Sequence, residues 1–486
     1  MTMSKINGMR RFLASSIGVA CATALALPLT LPATAATADP ASGSARSARA
    51  AAQPDLSGST QSLPLAPLAS FVRDRAIGLG AAAEQGLTRE DVRHFSMVGV
   101  IWDNPDTELH GHVQVRTRAT ANGSWSGWQN LETHNDDAAD PGTAERTSGR
   151  VRGSTAPLWV GDSDGVEVRV RAEGEPRSEG TARATRAVAA ASALPSGLRL
   201  ELVDPGEETP AEGASPVASH GASAGAPRTG PLGTDSDEAL AASTANADLA
   251  PLGATEIPAL SRASTERELR TLRGSELTES QRTKPYIGPR PRIITRRGWG
   301  ANEKLREKGF AYTKKVKAAF VHHTASGNGY RCSQAASVIR GIYRYHVKSM
   351  GWRDIGYNFL VDKCGNIYEG RAGGVAKAVK GAHTLGFNTN SMGIAVLGSF
   401  GSHKPPGAAL KAIARLTAWK LGLYGANPRG KTYLKSGGGN LYRKGKNVRL
   451  NVISGHRDGF ATDCPGTQLY RKLGSARSTA ARYQGR

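Results

Sequence analysis

Two stretches of this chain hold too few large apolar residues to bury a hydrophobic core. Residues 39–88 are rich in Ala, Ser and Pro, and residues 206–285 are dominated by Ala, Ser, Gly, Pro, Thr and Glu. Such segments cannot offset the conformational entropy that is lost when a chain becomes ordered. We therefore expect a disordered leader over 39–88, a disordered linker over 206–285, and folded domains over 89–205 and 286–486.

The first 38 residues have the composition of an export signal. Lys5, Arg10 and Arg11 precede an apolar run over 12–31, which contains Cys21, and small residues suited to cleavage follow it. This order predicts a secretory signal peptide over 1–38, and hence a protein that is secreted, extracellular or associated with a cell wall. Later segments are too short or too polar to span a bilayer, so no transmembrane anchor is expected after the signal is removed.

Residues 89–205 alternate between polar and apolar side chains in several segments. The runs HGHVQVRTR, GVEVRVRA and LRLELVD have the period of two that is typical of half-buried strands. We expect a smaller β-sandwich-like domain here. Its tryptophans could stack on a glycan, but we favour core packing, and the sequence indicates no ligand. They are Trp102, Trp125, Trp128 and Trp159.

Residues 286–486 mix buried strands with amphipathic helices. AAFVHHTA and SMGIAVLGSF are apolar runs of strand length, whereas Ser333 to Met350 and Ala408 to Tyr424 repeat their apolar residues with helical spacing. Asp354 to Arg371 has the pattern of a hairpin. The order of these elements predicts an α/β fold, in which a mixed central β-sheet is flanked by helices.

Basic residues are concentrated in this C-terminal domain. From Arg290 to Arg486 there are 36 Lys and Arg against 7 Asp and Glu, a net charge of +29 within a total of +22, so the preceding residues carry −7. A basic domain of this kind favours a polyanionic partner. For a secreted protein we expect anionic cell-wall polymers rather than nucleic acid, for which no recognition motif is visible.

One cysteine in this domain is expected to have a role other than a disulfide. The cysteines beyond the signal are Cys332, Cys364 and Cys464. An odd count in an oxidising compartment leaves one thiol over. Cys464 lies eight residues after His456 in the loop SGHRDGFATDCPG, and imidazole and thiolate both suit zinc. A third ligand could come from His322 or His323, and spacing does not choose between them because strand neighbours face opposite ways.

Four stretches between Val321 and Gly466 form a larger pattern. They are VHHTA, YHVKSMGWRDIGYNFLVDKCGNIYEGR, GAHTLGFNTNSMGIAVLGSF and SGHRDGFATDCPG. In this order they resemble the zinc-dependent type 2 N-acetylmuramoyl-L-alanine amidases, above all their peptidoglycan recognition protein branch, and the long N-terminal region is similar to that of secreted actinobacterial members. The resemblance implies Zn²⁺ as cofactor, peptidoglycan as partner, and hydrolysis of the amide between N-acetylmuramate and the L-alanine of the stem peptide.

The same resemblance assigns chemical roles to individual residues. It implies that zinc is bound by His322, His456 and Cys464. It places the hydroxyls of Tyr357 and Thr462 beside the metal, where they would donate hydrogen bonds to the carbonyl oxygen as negative charge develops on it. Zinc would activate a water molecule and polarise that carbonyl.

Substrate contacts and a disulfide are also implied by the resemblance. The substrate-binding positions are His346, Trp352, Arg371, His383 and Asn388. Arg371 would pair with a carboxylate of the stem peptide, whereas His346 and Trp352 could equally be packing residues. Because the resemblance gives Cys464 to the metal, it implies a disulfide between Cys332 and Cys364.

Two other functions compete with hydrolysis. A non-catalytic peptidoglycan-binding receptor would use the same groove, but members of the family that only bind peptidoglycan typically replace the zinc cysteine, and Cys464 is retained here. A nucleic-acid-binding protein with a structural zinc would need four protein ligands, and the resemblance supplies three. We therefore expect an enzyme, a zinc metallohydrolase.

Overall fold

The N-terminal strands pair in an antiparallel β-domain. The computed structural model describes residues 58–68, 84–133, 137–173, 193–206 and 236–486. The strands of this domain are β1 (Ser59–Pro64), β2 (Ala66–Pro67), β3 (Glu84–Arg89), β4 (Phe95–Trp102), β5 (Gly111–Ala119), β6 (Gln129–Leu131), β7 (Gly153–Ser154), β8 (Leu158–Ala172) and β9 (Arg199–Asp204). The first half of β8 pairs with β4, and its second half lies between β3 and β5. Alternate residues such as Val98, Val113 and Val168 meet in one core, so the predicted β-domain is confirmed.

The prediction of disorder is wrong for those parts of the two flanking stretches that are described. β1 pairs with β9 and β3 pairs with β8. Residues 236–285 form α1 (Asp237–Thr244), β10 (Glu256–Ile257), α2 (Arg262–Arg273) and α3 (Glu279–Thr283). Leu87 is buried in the β-domain, and Ile257 and Leu269 are buried in the C-terminal domain. These few side chains pack on cores formed by other parts of the chain, which the composition of the stretch alone does not reveal. The predicted signal peptide and the remaining leader and linker residues lie outside the described ranges.

A mixed sheet forms the centre of the C-terminal domain. Its strands are, in spatial order, β10, β11 (Ile293–Ile294), β14 (Ile367–Glu369), β13 (Phe359–Val361), β15 (Ser391–Val396), β12 (Ala318–His323) and β18 (Ile453–Gly455). β12 runs parallel to both of its neighbours, β15 and β18. β13 and β14 form the predicted antiparallel hairpin. A separate two-stranded ribbon consists of β16 (Lys431–Lys435) and β17 (Asn447–Asn451).

Helices cover both faces of this sheet. On one face, α5 (Gly407–Gly422) and α7 (Leu473–Gln484), which follows the short α6 (Thr467–Tyr470), pack around Trp419. On the other face, α4 (Ala335–Arg344) buries Val338, Ile339 and Ile342. The predicted α/β class is therefore confirmed. Within the described ranges, no helix has the length and apolar character needed to cross a membrane.

The β-domain packs directly on α4. Met97 of β4 belongs to the same apolar cluster as Ile339, which explains why β4 is buried on both faces. Tyr345 donates a hydrogen bond of 3.2 Å to the carbonyl of Thr155. Gly99 allows this approach, because a Cβ at that position would lie 2.4 Å from the Tyr345 hydroxyl. The loops of the β-domain are thereby held next to the C-terminal domain.

A disulfide joins Cys332 to Cys364, with their Cα atoms 6.2 Å apart, so the predicted pairing is confirmed. It links the turn before α4 to the turn between β13 and β14. Cys464 is free and buried.

Candidate metal centre

His322 and His456 lie side by side at one edge of the sheet. β12 ends at His323, and His456 follows the last residue of β18. Because these strands are adjacent and parallel, with Val321 opposite Gly455, their carboxyl ends meet at the same edge. Such edges are where α/β sheets commonly bind ligands. The centroids of the two imidazole rings are 4.5 Å apart.

Cys464 joins the two histidines through the loop that follows His456. Its Sγ lies 3.7 Å from Nδ1 of His322. One ligand atom from each of the three residues lies within 4.8 Å of the others, and all three side chains are buried. Zinc bond lengths of about 2.0 Å to nitrogen and 2.3 Å to sulfur give a tetrahedral N–S separation of about 3.6 Å, close to the observed value. The structure thus brings the three predicted zinc ligands together.

The neighbouring His323 faces away from this cluster. Its Nε2 lies 3.3 Å from a carboxylate oxygen of Glu132, and its Nδ1 accepts a hydrogen bond from the backbone N–H of Phe400. Of the two neighbouring histidines, His322 is therefore the one whose ring joins the cluster.

The chemistry of the three side chains fits zinc. Burial lowers the pKa of His456 to about 3, so this ring is neutral, and among the described residues neither of its nitrogens has a hydrogen-bond partner. Burial raises the pKa of the Cys464 thiol well above its ordinary value, so a thiolate here requires a cation beside it. Two imidazoles and one thiolate are a ligand set that catalytic zinc sites use.

Thr384 and His383 support His322 from behind. Nε2 of His322 lies 3.4 Å from the Thr384 hydroxyl oxygen, which lies 3.0 Å from Nδ1 of His383. Partners of this kind orient a metal-binding imidazole. His383 is fully buried, and its described side-chain contact is with Thr384. Its role as a substrate contact stays a prediction.

The two residues predicted to assist catalysis lie in different environments. Tyr357 is buried, its ring centroid is 5.6 Å from that of His322, and burial raises its pKa well above the ordinary value, so its hydroxyl keeps its proton. The Thr462 hydroxyl accepts a hydrogen bond of 3.3 Å from the backbone N–H of Cys464. Tyr357 is thus a hydrogen-bond donor at the centre, whereas the described contact of Thr462 stabilises the cysteine loop.

Asp137 of the β-domain is a further residue at this centre, and no motif in the sequence indicated it. Its Oδ1 lies 3.0 Å from Nδ1 of His322 and 3.5 Å from Nδ1 of His456. Its Oδ2 accepts a hydrogen bond of 2.6 Å from the Tyr357 hydroxyl. Burial alone would raise the pKa of Asp137, but the two histidines and Tyr357 outweigh that effect and hold the pKa below its ordinary value.

Residues 137–145, here called the acidic loop, also cover two of the predicted substrate-binding residues. Glu145 makes two hydrogen bonds with the Arg371 guanidinium, of 2.8 and 2.9 Å, and both side chains are 8% exposed. The Asn388 side chain donates to Asp140 Oδ1 and to the carbonyl of Ala138, each at 2.8 Å. The excess of acid before residue 290 was a general signal for such a contact, but it identified none of these residues.

The last two predicted substrate-binding residues pack against each other. The His346 and Trp352 rings lie 4.5 Å apart, and Nδ1 of His346 accepts a hydrogen bond from the Gly356 backbone. His346 is enclosed, whereas Trp352 lines a cavity of about 240 Å³ together with Asp137. Packing is therefore the described role of His346, and substrate contact stays a prediction for both.

Two family models match this chain. Residues 46–192 match the Rv3811 N-terminal galactose-binding domain-like family, which agrees with the observed β-domain. Residues 312–467 match the N-acetylmuramoyl-L-alanine amidase family, which spans the metal centre.

Curated relatives resemble the C-terminal part of the chain. Peptidoglycan-recognition protein SC2 of Drosophila melanogaster is 34% identical over 184 residues, which are 37% of this chain and 84% of that protein. Peptidoglycan-recognition protein 1 of Holotrichia diomphalia is 33% identical over 38% of this chain and 79% of its own length. Among solved structures, Drosophila PGRP-LB matches 38% of this chain and 92% of its own, with 26% identity and a TM-score of 0.30. Because the two curated relatives are more than 30% identical over most of their own length, the chain belongs to the family of peptidoglycan recognition proteins and type 2 amidases.

Proposed function

We propose that this protein is a secreted zinc-dependent amidase that hydrolyses the bond between N-acetylmuramate and the L-alanine of the peptidoglycan stem peptide. One observation carries the proposal. His322, His456 and Cys464 converge in a buried cluster, and the cysteine is not used in the disulfide. A receptor that only bound peptidoglycan would gain nothing from a buried thiol facing two imidazoles, whereas a metallohydrolase requires such a set.

The residues around the cluster would stabilise the transition state. Zinc, when bound, supplies an activated water and polarises the scissile carbonyl. The Tyr357 hydroxyl, which keeps its proton because burial raises its pKa, would donate a hydrogen bond to the oxygen of that carbonyl. Thr384 and His383 would hold the His322 ring in a fixed orientation.

Arg371 and Asn388 would hold the stem peptide. The guanidinium of Arg371 can bind a carboxylate through two parallel hydrogen bonds, as it does with Glu145. The Asn388 amide can donate to a peptide carbonyl, as it does with Ala138. These contacts would fix the scissile amide relative to the metal centre, which lowers the entropic part of the barrier.

The basic surface of the C-terminal domain would add affinity for anionic wall polymers. Lys431, Lys435 and Arg449 are exposed on the β16–β17 ribbon. Contacts of this type release counterions, so binding to a teichoic-acid-type polyanion should weaken steeply as salt rises. Changing all three residues to Glu should make that salt dependence less steep, which a sedimentation assay with purified walls can measure.

The test of the amidase function is product analysis. The full-length chain and its Cys464→Ala variant are incubated with purified peptidoglycan, with zinc and then with a chelator, and soluble products are identified by mass spectrometry. We expect free stem peptides that begin with L-alanine, and we expect neither the variant nor the chelated protein to release them. Walls that are bound but remain intact under all conditions would favour the receptor instead.

A further inference from the structure

We propose that the acidic loop, residues 137–145, is a built-in inhibitor of the metal centre, in which Asp137 acts as an internal fourth ligand and the rest of the loop occupies the stem-peptide groove. The inference rests on the proposed amidase function and concerns the regulation of the same site. It makes the full-length chain an enzyme of reduced activity, which becomes more active when the loop leaves the groove.

Asp137 faces the two histidines of the candidate metal centre. Zinc bonds of about 2.0–2.1 Å to nitrogen and oxygen give a tetrahedral N–O separation of about 3.3 Å. The observed separations from Asp137 Oδ1 to the nearer nitrogens of His322 and His456 are 3.0 and 3.5 Å. This oxygen is buried, and Nδ1 of His322 lies within hydrogen-bond distance of it. A buried carboxylate oxygen beside two imidazole nitrogens that would hold zinc can share their cation, because buried charges are paired or coordinate metals.

A fourth protein ligand has a direct consequence for catalysis. Catalytic zinc sites keep one position open for water, whereas four protein ligands close a site. Asp137 also engages the Tyr357 hydroxyl at 2.6 Å, which is the hydrogen bond that the scissile carbonyl would need. One side chain therefore removes both the water position and the hydrogen-bond donor.

The remaining contacts of the loop imitate a substrate. Glu145 presents a carboxylate to Arg371, as a stem-peptide carboxylate would. The Ala138 carbonyl and the Asp140 carboxylate accept from Asn388, as a peptide backbone would. Asp140 also lies 3.3 Å from the Lys380 ammonium. The three acidic side chains of the loop thus meet residues of the groove and the metal centre.

Attachment of the two domains does not require these contacts. The β-domain is already held through Met97, which packs on α4, and through Glu201, which accepts a hydrogen bond of 2.7 Å from Ser349. A loop that served only to hold the two domains together could place its carboxylates on any of the many exposed lysines and arginines. The carboxylates of Asp137 and Glu145 instead lie on His322, Tyr357 and Arg371.

The test uses the full-length chain with the variants Asp137→Ala and Asp137→Asn. The control is the double variant Glu90→Ala/Asp91→Ala, which removes two exposed carboxylates of the same domain. The first readout is the transfer of zinc to a chromogenic chelator. We expect Asp137→Ala to bind zinc at least about tenfold more weakly than the wild type, since loss of even an indirect partner of a zinc ligand has that effect. Asp137→Asn keeps the size and shape of the side chain. If Asp137→Ala does not fold, zinc binding is compared between Asp137→Asn and the wild type instead.

The second and third readouts examine the groove. In zinc-free protein, the variants Asp137→Ala/Glu145→Ala and Asp137→Asn/Glu145→Gln should bind a soluble disaccharide-tetrapeptide at least about tenfold more tightly than the wild type. The reason is that only molecules with an open groove can bind, so the apparent affinity of the wild type is its intrinsic affinity multiplied by the open fraction. The second variant keeps the size of both side chains and serves if the first does not fold. With zinc in excess, Asp137→Ala should release stem peptides at least about tenfold faster than the wild type. The control should match the wild type in all three measurements.

The outcomes separate this inference from the proposed function. If the wild type and Asp137→Ala hydrolyse peptidoglycan equally fast and hold zinc equally well, the inhibitor is wrong while the amidase stands. If no variant releases stem peptides, but loss of Asp137 weakens zinc binding and loss of the loop carboxylates strengthens muropeptide binding, the loop masks the groove and the amidase is wrong.

Discussion

Removal of the Cys332–Cys364 disulfide should destabilise the C-terminal domain by a predictable amount. The two cysteines are 32 positions apart in the chain. The chain-entropy relation for a loop of this length gives a loss of about 3.7 kcal/mol at 25 °C when both residues are changed to Ala. A domain of this size shifts its midpoint by about 2–4 °C per kcal/mol, so the double variant should melt about 7–15 °C lower.

The assay is urea unfolding followed by circular dichroism, on the wild type, the reduced wild type and the variant Cys332→Ala/Cys364→Ala. Reduced wild type and double variant should agree, because both lack the same covalent loop. In zinc-free buffer, Cys464→Ala is the control, since it removes a buried cysteine but leaves the disulfide intact. If the free energy of unfolding of the double variant lies within about 1 kcal/mol of that of the oxidised wild type, this disulfide does not stabilise the protein by constraining the unfolded chain.

Three further predictions concern the candidate metal centre and the acidic loop that covers it. In an Asp137→Ala background, Tyr357→Phe should lower the hydrolysis rate by about 10²–10³, and an unchanged rate would exclude the hydroxyl from the reaction. Glu145→Ala should destabilise the protein by about 3–5 kcal/mol in urea unfolding, because it leaves the Arg371 cation buried without its partner; a loss below about 1 kcal/mol would show that solvent reaches the pair. Zinc at 100 times its dissociation constant should stabilise the wild type by about 2.7 kcal/mol, and Cys464→Ala should lose this gain in a thermal melt.

The metal centre was within reach of the sequence, because its parts lie in short motifs at strand ends. His456 and Cys464 are separated by one loop, and a histidine pair at the end of an apolar strand supplied the third position. The choice between His322 and His323 needed the family resemblance, since alternation in a strand gives two faces without saying which one carries the site.

Other features depend on contacts between distant parts of the chain. The helices between 236 and 285 become ordered because Leu269 and a few similar side chains dock on a core built mainly by later residues. Asp137 meets Tyr357 across 220 residues, and no local pattern marks it as different from other surface acids. Composition and periodicity report on neighbours in sequence, so both features required the three-dimensional structure.

The β-domain that packs on α4 is synthesised before α4 itself. A ribosome adds about 5–20 residues per second, so about 10–45 s separate the synthesis of Asp137 from that of Tyr357. The β-domain has a core of its own, centred on residues such as Val98 and Val168, and can fold within that interval. The C-terminal domain is therefore synthesised after the β-domain on the same chain. The covalent connection holds Asp137 near Tyr357 at an effective concentration that a separate molecule would match only in the millimolar range.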